Sequence, residues 1–192
     1  MSRLKRACFL LLPTAVGCGL GVYDDFAWPT PFDNIRVIEP GRAYRSAQLD
    51  ARTLELLVEA LGIRTVVNLR GENPDEPWYQ REREVLDAAG VTLVDIRMSA
   101  TELPPRAELL RLYDTFLTAE EPILIHCQAG ADRTGAAAAI WRMVVLGDER
   151  EDAAAELSPC YGHFAAFTPA MDELVRIFVP DREWIENEYP VD

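Results

Sequence analysis

The chain alternates short apolar runs with amphipathic stretches, and this alternation predicts strands and helices in turn. Short β-branched or apolar runs predict strands at 35–38, 43–44, 64–69, 91–96 and 122–125, the first two joined by a turn at 39–41. Runs of this kind with helices between them are typical of strands that lie side by side in a parallel sheet.

Apolar residues at helical spacing predict the elements between these strands. Asp50 is placed to cap a helix in which leucine and valine recur on one face, and Gly62 is placed to end it. Further helices are expected at about 76–89, at 106–117 and from 136 to 141. The pattern predicts an α/β fold, with a central, mostly parallel sheet of four to five strands and helices on both faces.

The segment 126–135, which reads His-Cys-Gln-Ala-Gly-Ala-Asp-Arg-Thr-Gly, carries the candidate chemistry. It connects the last predicted strand to a helix, and Gly130 and Gly135 are expected to permit a tight turn between them. Backbone N–H groups of such a turn converge on one point, where the positive end of the helix adds to them. The predicted anion-binding residues are Gln128, Ala129, Gly130 and Ala131, together with His126.

A thiol placed among these donors is a candidate nucleophile, because the nest of N–H groups favours its thiolate form. Cys127 is therefore the predicted nucleophile, and the planar guanidinium of Arg133 can hold two phosphoryl oxygens during transfer. Thr134 can donate a hydrogen bond to the sulfur when it leaves. His126 is expected to orient the loop by bonding to the loop backbone rather than to act as a base.

A cysteine, five residues, an arginine and a threonine, with histidine before the cysteine, resemble the signature of the cysteine-dependent protein tyrosine and dual-specificity phosphatases. Segments 44–48 and 62–70 and the region 161–163 are similar to the atypical dual-specificity phosphatase-like proteins of bacteria, fungi and plants. The likeness covers residues 35–180. It implies a phosphatase-like fold, a phosphocysteine intermediate and no cofactor or metal, and it implies a phosphorylated protein or a small phosphomonoester as substrate.

Several alternatives stay open at this stage. An inositol phosphate phosphatase, a non-catalytic phosphate-binding module and a rhodanese-like sulfur transferase would each use a loop of this kind. The cysteine loop lacks lysine, which favours phosphotyrosine or another monoester over polyphosphorylated inositols. Arg45 and Arg70 are either directed at the mouth of the site or structural, and His163 is expected to be structural.

The acid that protonates the leaving group is the least determined residue. The resemblance implies an aspartate in the loop that follows the strand at 91–96. That loop, residues 98–105, contains none. Asp95 is expected to lie inside its strand. Asp132, beside Arg133, is therefore the predicted acid, or else a carboxylate that fixes the loop, and Glu102 is the alternative acid.

The N-terminal residues have the pattern of an export signal, in which basic residues precede a short apolar run. Residues 1–18 are the predicted signal peptide, 19–34 an irregular linker and 35–192 the phosphatase domain. The four residues that end at Cys18 resemble a bacterial lipobox, which predicts a lipid anchor there, with simple cleavage and an uncleaved anchor as alternatives. The chain is thus expected in the bacterial periplasm or anchored to a membrane.

The net charge of −13 excludes binding of nucleic acid through a general positive field. An anionic substrate must be attracted locally, by arginines and by the loop amides. Outside the leader, the cysteines are Cys127 and Cys160. In an exported protein, a disulfide to Cys160 could protect Cys127 from oxidation. An inert, buried Cys160 is the alternative. The sequence leaves the oligomeric state open.

Overall fold

The structure is a computed structural model that describes residues 33–192. The predicted signal peptide at 1–18, the predicted lipid anchor at Cys18 and residues 19–32 of the predicted linker lie outside the described residues, so export and lipidation stay predictions. From residue 33 to the end of the chain, no helix combines the length and the apolar character needed to cross a membrane.

Five short strands form one sheet at the centre of the described residues. The strands are β1 (Arg36–Glu39), β2 (Ala43–Ser46), β3 (Thr65–Asn68), β4 (Thr92–Asp95) and β5 (Ile123–His126). Their order across the sheet is β1-β2-β5-β3-β4, and only the pairing of β1 with β2 is antiparallel. The predicted mostly parallel sheet is confirmed, and β5, which precedes Cys127, lies at its centre.

Helices cover both faces of this sheet, as predicted. They are α1 (Ala51–Leu61), α2 (Pro77–Ala89), α3 (Arg106–Thr118), α4 (Asp132–Trp141), α5 (Arg150–Ala153), α6 (Pro169–Ile177) and α7 (Arg182–Asn187). Apolar residues of α1 and α2 pack against one face, where Leu124 of β5 is buried. Residues of α3, α4 and α6 pack against the other face with Ile123 and Ile125, so the alternation of side chains along β5 divides the core into two layers.

The ends of α1 follow from local sequence. The carboxylate of Asp50 accepts hydrogen bonds from the N–H groups of Arg52 and Thr53, at 2.9 and 3.1 Å, and satisfies donors that the helix leaves free. Gly62 ends the helix with a φ of +65°. The N-terminus of α4 differs from the prediction, because this helix begins at Asp132 and not at 136.

The register of the parallel strands determines which residues meet at their carboxyl ends. Ser46 of β2 and Asn68 of β3 both pair with His126 of β5. The segments that follow these three strands therefore emerge side by side, which brings Gln48 and Arg70 next to the residues after His126.

Candidate active site

Residues 127–131, the cysteine loop, connect the carboxyl end of β5 to the first residue of α4. The side chain of Cys127 is a buried, free thiol. The backbone N–H groups of residues 128–131 donate no hydrogen bond to any described residue. The N–H groups in the first turn of α4 also lack partners within the helix. These donors are free for an anion beside the thiol, as the predicted nest requires.

Two glycines allow close approaches in this region, for different reasons. Gly130 has a φ of +67°, and a Cβ at this position would lie 2.6 Å from the backbone nitrogen of Ala47 and from the carbonyl of Ser46. Gly135 lies inside α4, where a Cβ would meet the carbonyl oxygen of Glu156 at 2.8 Å. The turn prediction therefore applies to Gly130 and is wrong for Gly135, which instead lets the segment around residue 156 pack against α4.

Arg45 supports the cysteine loop from inside the protein. Its side chain is fully buried, and Nη2 donates to the carbonyl oxygen of Gly130 at 2.8 Å. Nη1 pairs with the carboxylate of Glu156 at 2.7 Å, and the guanidinium lies 4.4 Å from the centre of the Tyr161 ring. Of the two readings left open for Arg45, the structure supports the structural one.

Asn34 also holds the cysteine loop, although the sequence analysis placed it in an irregular linker. Its Nδ2 lies within hydrogen-bond distance of the carbonyl oxygens of Ala129, Gly130 and Tyr161, at 3.1, 3.0 and 2.8 Å. Its φ of +48° is a conformation that asparagine tolerates better than most residues. No sequence signal marks it, because its partners lie about a hundred positions away.

His126 contacts a carboxylate that the sequence analysis missed. Its Nε2 lies 2.8 Å from Oε1 of Glu82 in α2, and both side chains are 2% exposed. Burial by itself would raise the pKa of Glu82, but His126, Gln48 and Arg70 together hold it below its ordinary value. Nδ1 of His126 lies 3.4 Å from the carbonyl oxygen of Cys127, so the ring contacts the loop backbone as predicted.

The signal for Glu82 lies in the periodicity of α2. The buried residues of this helix are Tyr79, Glu82 and Leu86, which are spaced as one helical face. A carboxylate in the middle of a buried face needs a partner, and this requirement was visible in the sequence.

Arg133 and Thr134 have polar atoms that are buried without a hydrogen-bond partner among residues 33–192. These atoms are Nε of Arg133 and Oγ1 of Thr134. The one hydrogen bond of the Arg133 guanidinium is long, 3.4 Å to the carbonyl oxygen of Met98. The Nε atoms of Arg45, Arg106 and Arg150 are likewise buried without a partner among these residues, so it is the position of Arg133 and Thr134 directly after the cysteine loop that suits both groups to a ligand there.

Asp132 is held by residues of the C-terminal third. Its Oδ1 lies 2.8 Å from Nδ1 of His163 and accepts a hydrogen bond from the hydroxyl of Thr168 at 2.7 Å. Nε2 of His163 in turn lies 3.0 Å from the carboxylate of Asp172. The side chain of Asp132 remains 25% exposed. This arrangement allows both predicted roles of Asp132, because one oxygen is fixed while the carboxylate still reaches solvent.

The other candidate acids differ clearly in position. Glu102 is exposed in the loop before α3 and makes no hydrogen bond or ion pair with the cysteine loop. Asp95 is the last residue of β4, where it accepts hydrogen bonds from Asn68 at 2.7 Å and from Tyr79 at 2.5 Å. Asp95 thus belongs to its strand, as expected, but occupies the last position, at the carboxyl end of the sheet.

Arg70, the second arginine left undecided, lies at the site. Its guanidinium donates to Oε1 of Gln48 at 3.0 Å and lies 3.5 Å from the centre of the Trp78 ring. Partial burial lowers the pKa of Arg70 and the charge of Arg133 lowers it further, while Glu82, Cys127 and Glu76 oppose this effect. Arg70 therefore belongs to the immediate electrostatic surroundings of the thiol.

The suggested disulfide between Cys127 and Cys160 is absent, because Cys127 carries a free thiol. The alternative, a buried Cys160, is wrong as well. Cys160 is exposed in a short 3₁₀ turn, Pro159–Tyr161. The cap of this turn, the hydroxyl of Ser158, accepts a hydrogen bond from the Cys160 N–H, which places the side chain at the surface.

A buried thiol in a nest of N–H groups, at the carboxyl end of the central strand and with an arginine in the next helical turn, defines the class of cysteine-dependent phosphatases. The model of a family described as DSP-PTPase phosphatase fused to NAD+ kinase matches residues 33–169. The chain belongs to this family, and the predicted resemblance is confirmed.

Individual relatives agree with this assignment. The dual specificity protein phosphatase TpbA of Pseudomonas aeruginosa is 34% identical over 116 residues, which are 59% of this chain and 49% of the relative. The chain thus spans about half the length of this curated relative. A crystal structure of a cysteine-to-serine variant of P. aeruginosa TpbA in complex with phosphotyrosine is 28% identical and has a TM-score of 0.63. That match covers 83% of this chain and 94% of the other.

A more distant structure shares the fold. The core catalytic domain of the PP-IP phosphatase SIW14 from S. cerevisiae, in complex with citrate, is 22% identical and has a TM-score of 0.64. The match covers 85% of this chain and 98% of that chain. Together these structures confirm the predicted phosphatase-like α/β fold.

Proposed function

We propose that this chain hydrolyses phosphomonoesters through a phosphocysteine intermediate on Cys127. The observation that carries the proposal is the set of unused donors around the thiol. The N–H groups of residues 128–131, Nε of Arg133 and Oγ1 of Thr134 all lack partners among the described residues. A transferring phosphoryl group supplies oxygens for these donors and brings its phosphorus to the sulfur.

The first step is an in-line attack of the Cys127 thiolate on phosphorus. The S–P bond forms while the ester P–O bond breaks, and its electron pair goes to the leaving oxygen. Arg133 and the loop amides stabilise the charge that the equatorial oxygens carry during transfer. Asp132 supplies the proton to the leaving oxygen, with Glu102 as the alternative donor.

In the second step, water attacks the phosphocysteine and the S–P bond breaks. Inorganic phosphate leaves, and the electron pair returns to sulfur as a thiolate. Thr134 donates a hydrogen bond to that thiolate, a role supported by its hydroxyl, which belongs to the first turn of α4 and is buried without a partner among residues 33–192. The carboxylate that gave up its proton in the first step accepts one from the attacking water.

Phosphotyrosine in proteins is the proposed substrate class, with dual specificity as its extension. Support comes from the TpbA structure, which is a complex with phosphotyrosine, and from the absence of charged side chains at positions 128–131. The relation to SIW14 supports the fold alone, so an inositol phosphate remains the second candidate.

The test is the metal-free release of phosphate from p-nitrophenyl phosphate by the wild type and by Cys127→Ser. We expect the substitution to abolish turnover while circular dichroism shows an unchanged fold, because serine is a far weaker nucleophile at this position. Release that persists in Cys127→Ser contradicts the proposal. Phosphate binding without release indicates a non-catalytic module, and sulfur transfer from thiosulfate to cyanide indicates a rhodanese-like enzyme.

A further inference from the structure

Arg70 is a cation beside the cysteine loop that forms no ion pair with any carboxylate of residues 33–192. It follows β3 by two residues, and its contacts are the amide oxygen of Gln48 at 3.0 Å and the ring of Trp78 at 3.5 Å. No carboxylate among residues 33–192 lies within ion-pair distance of its guanidinium, and Glu76 and Glu82 act on it only at longer range.

Among the arginines of residues 33–192, Arg70 shares this lack of an ion pair with Arg133 of the same site and with several others. Other arginines contact carboxylates directly, among them Arg42 with Glu121 at 2.7 Å and Arg142 with Asp148 at 2.6 Å. The net charge of −13 makes acidic partners abundant. The contacts of Arg70 instead fix the direction of its side chain and leave its charge available, because both Gln48 and Trp78 are neutral.

The sheet places the backbone of Arg70 and of its partner Gln48 beside the cysteine loop. Asn68 of β3 pairs with His126 of β5, and the N–H of Leu69 donates to the carbonyl oxygen of His126 at 2.9 Å. The N–H of Gln48 donates to the carbonyl oxygen of Gln128 at 3.2 Å, so the residue that orients Arg70 is itself attached to the loop. Through Gln48, Arg70 therefore lies beside the loop that leads to Arg133, and two positive charges at one site are stabilised by an anion that binds there.

We propose that Arg70, oriented by Gln48 and Trp78, binds a second anionic group of the substrate beside the phosphate that Cys127 attacks. This inference rests on the proposed phosphatase function and narrows its substrate class to phosphomonoesters with a neighbouring phosphate or carboxylate. Residues 128–131 carry no charged side chain, so the cation for such a group must come from outside the loop. Arg70 supplies it, and its planar fork suits either kind of oxyanion.

The first test measures binding, so that it does not depend on turnover. Calorimetry compares inorganic phosphate with pyrophosphate on three chains: Cys127→Ser alone, and the same chain with Arg70→Met or Arg64→Met added. Arg64 is the matched control, because it precedes the same strand at the opposite end and is 60% exposed. We expect pyrophosphate to bind about ten times more tightly than phosphate, which is about 1.4 kcal/mol. Arg70→Met should remove this preference and Arg64→Met should retain it.

The second test identifies the source of the second anion by measuring turnover, and it uses the chain that retains Cys127. One arm compares kcat/KM for the peptides Glu-pTyr-Glu and Ala-pTyr-Ala, and the other compares inositol 4,5-bisphosphate with inositol 4-phosphate. In one arm, we expect kcat/KM for the substrate with the second anion to exceed that of its partner about tenfold. Arg70→Met should reduce this kcat/KM ratio close to one, and Arg70→Lys should reduce it to an intermediate value.

The outcomes separate this inference from the proposed function. Equal affinity for phosphate and pyrophosphate, or a preference that survives Arg70→Met, overturns the second-anion site whatever the enzyme turns over. A preference that depends on Arg70, in a chain that releases no phosphate from any ester, supports the anion site and contradicts the phosphatase function.

Discussion

The two histidines of this chain lie on opposite sides of the cysteine loop and contact very different carboxylates. His126 and His163 are both 2% exposed. His126 contacts Glu82, which is equally buried, whereas His163 lies between Asp132 and Asp172, which are 25% and 41% exposed. One pair is sealed inside the core, and the other is a chain of contacts that reaches solvent.

This difference assigns different tasks to the two sides. A sealed pair cannot exchange protons with substrate, so Glu82 is suited to hold His126 and the start of the cysteine loop in place. Asp132 directly precedes Arg133 in the first turn of α4 and keeps access to solvent, which a proton donor requires. The α2 side is therefore suited to hold the start of the cysteine loop in place, and we propose the α6 side as the source of the proton.

The largest effect is expected from Asp132→Asn, which removes the carboxyl group that His163 connects to Asp172 of α6. If Asp132 is the acid, kcat falls about 10³-fold for an alkyl phosphate, whose leaving group needs a proton, and much less for p-nitrophenyl phosphate. Steady-state kinetics on esters whose leaving groups differ in acidity measure this dependence.

Glu102→Gln is the matched control for that experiment, because it removes the alternative acid from the exposed loop before α3. Its leaving-group dependence should equal that of the wild type. An equal loss on all esters in Asp132→Asn shows that Asp132 only fixes the loop, and a steep dependence in Glu102→Gln transfers the role to Glu102.

A smaller effect, mainly on stability, is expected from Glu82→Gln, which removes the charge of the carboxylate that contacts His126. The loss of a charge-assisted contact in the core should cost about 2 kcal/mol and lower Tm by about 4–8 °C. Chemical denaturation and calorimetry measure the loss. An unchanged Tm together with an unchanged rate of Cys127 alkylation by iodoacetate would show that Glu82 does not position the loop.

The pH dependence of the Glu82 effect has a definite sign. The folded state holds the pKa of Glu82 below its ordinary value of 4.5. Its stabilising contribution is therefore complete above pH 4.5 and is lost as the pH falls through the lowered value. The difference in unfolding free energy between wild type and Glu82→Gln should be largest at neutral pH and shrink in acid. A constant difference would contradict the ionised state of this carboxylate.

The smallest effect is expected from Asp172→Asn, which changes only the outer end of the α6 side. Asp132 keeps its contacts with His163 and Thr168, and Asp172 is 41% exposed, so kcat should change by about twofold and stability by less than about 1 kcal/mol. Kinetics at several pH values measure this change. A loss as large as that in Asp132→Asn would show that the two carboxylates act as one unit through His163.

The sequence predicts the features that depend on local pattern. The apolar face of α1, its Asp50 cap and the strand before Cys127 all appear where periodicity and capping chemistry place them. The residues of the cysteine loop could be assigned because one short segment contains the thiol, the arginine and the glycine of the turn.

The residues that hold the loop could not be predicted in the same way. Arg45 and Arg70 both occur at or just after the end of a strand, yet one lies beneath the loop and the other beside the thiol. Asn34 and His163 reach the site from distant parts of the chain, through contacts that only the packing of the sheet and helices determines. The C-terminal helices, for which no pattern was recognised, provide the partners of Asp132.

The most direct test of the central claim is to trap the phosphoryl group on Cys127. The enzyme is mixed with p-nitrophenyl phosphate, quenched in acid within milliseconds, digested and analysed by mass spectrometry. The account predicts that the peptide with Cys127 gains one phosphoryl group in the wild type, and that Asp132→Asn, which accepts no proton from water, accumulates more of this adduct. Continuous release of phosphate with no adduct on Cys127 in either protein would contradict the account.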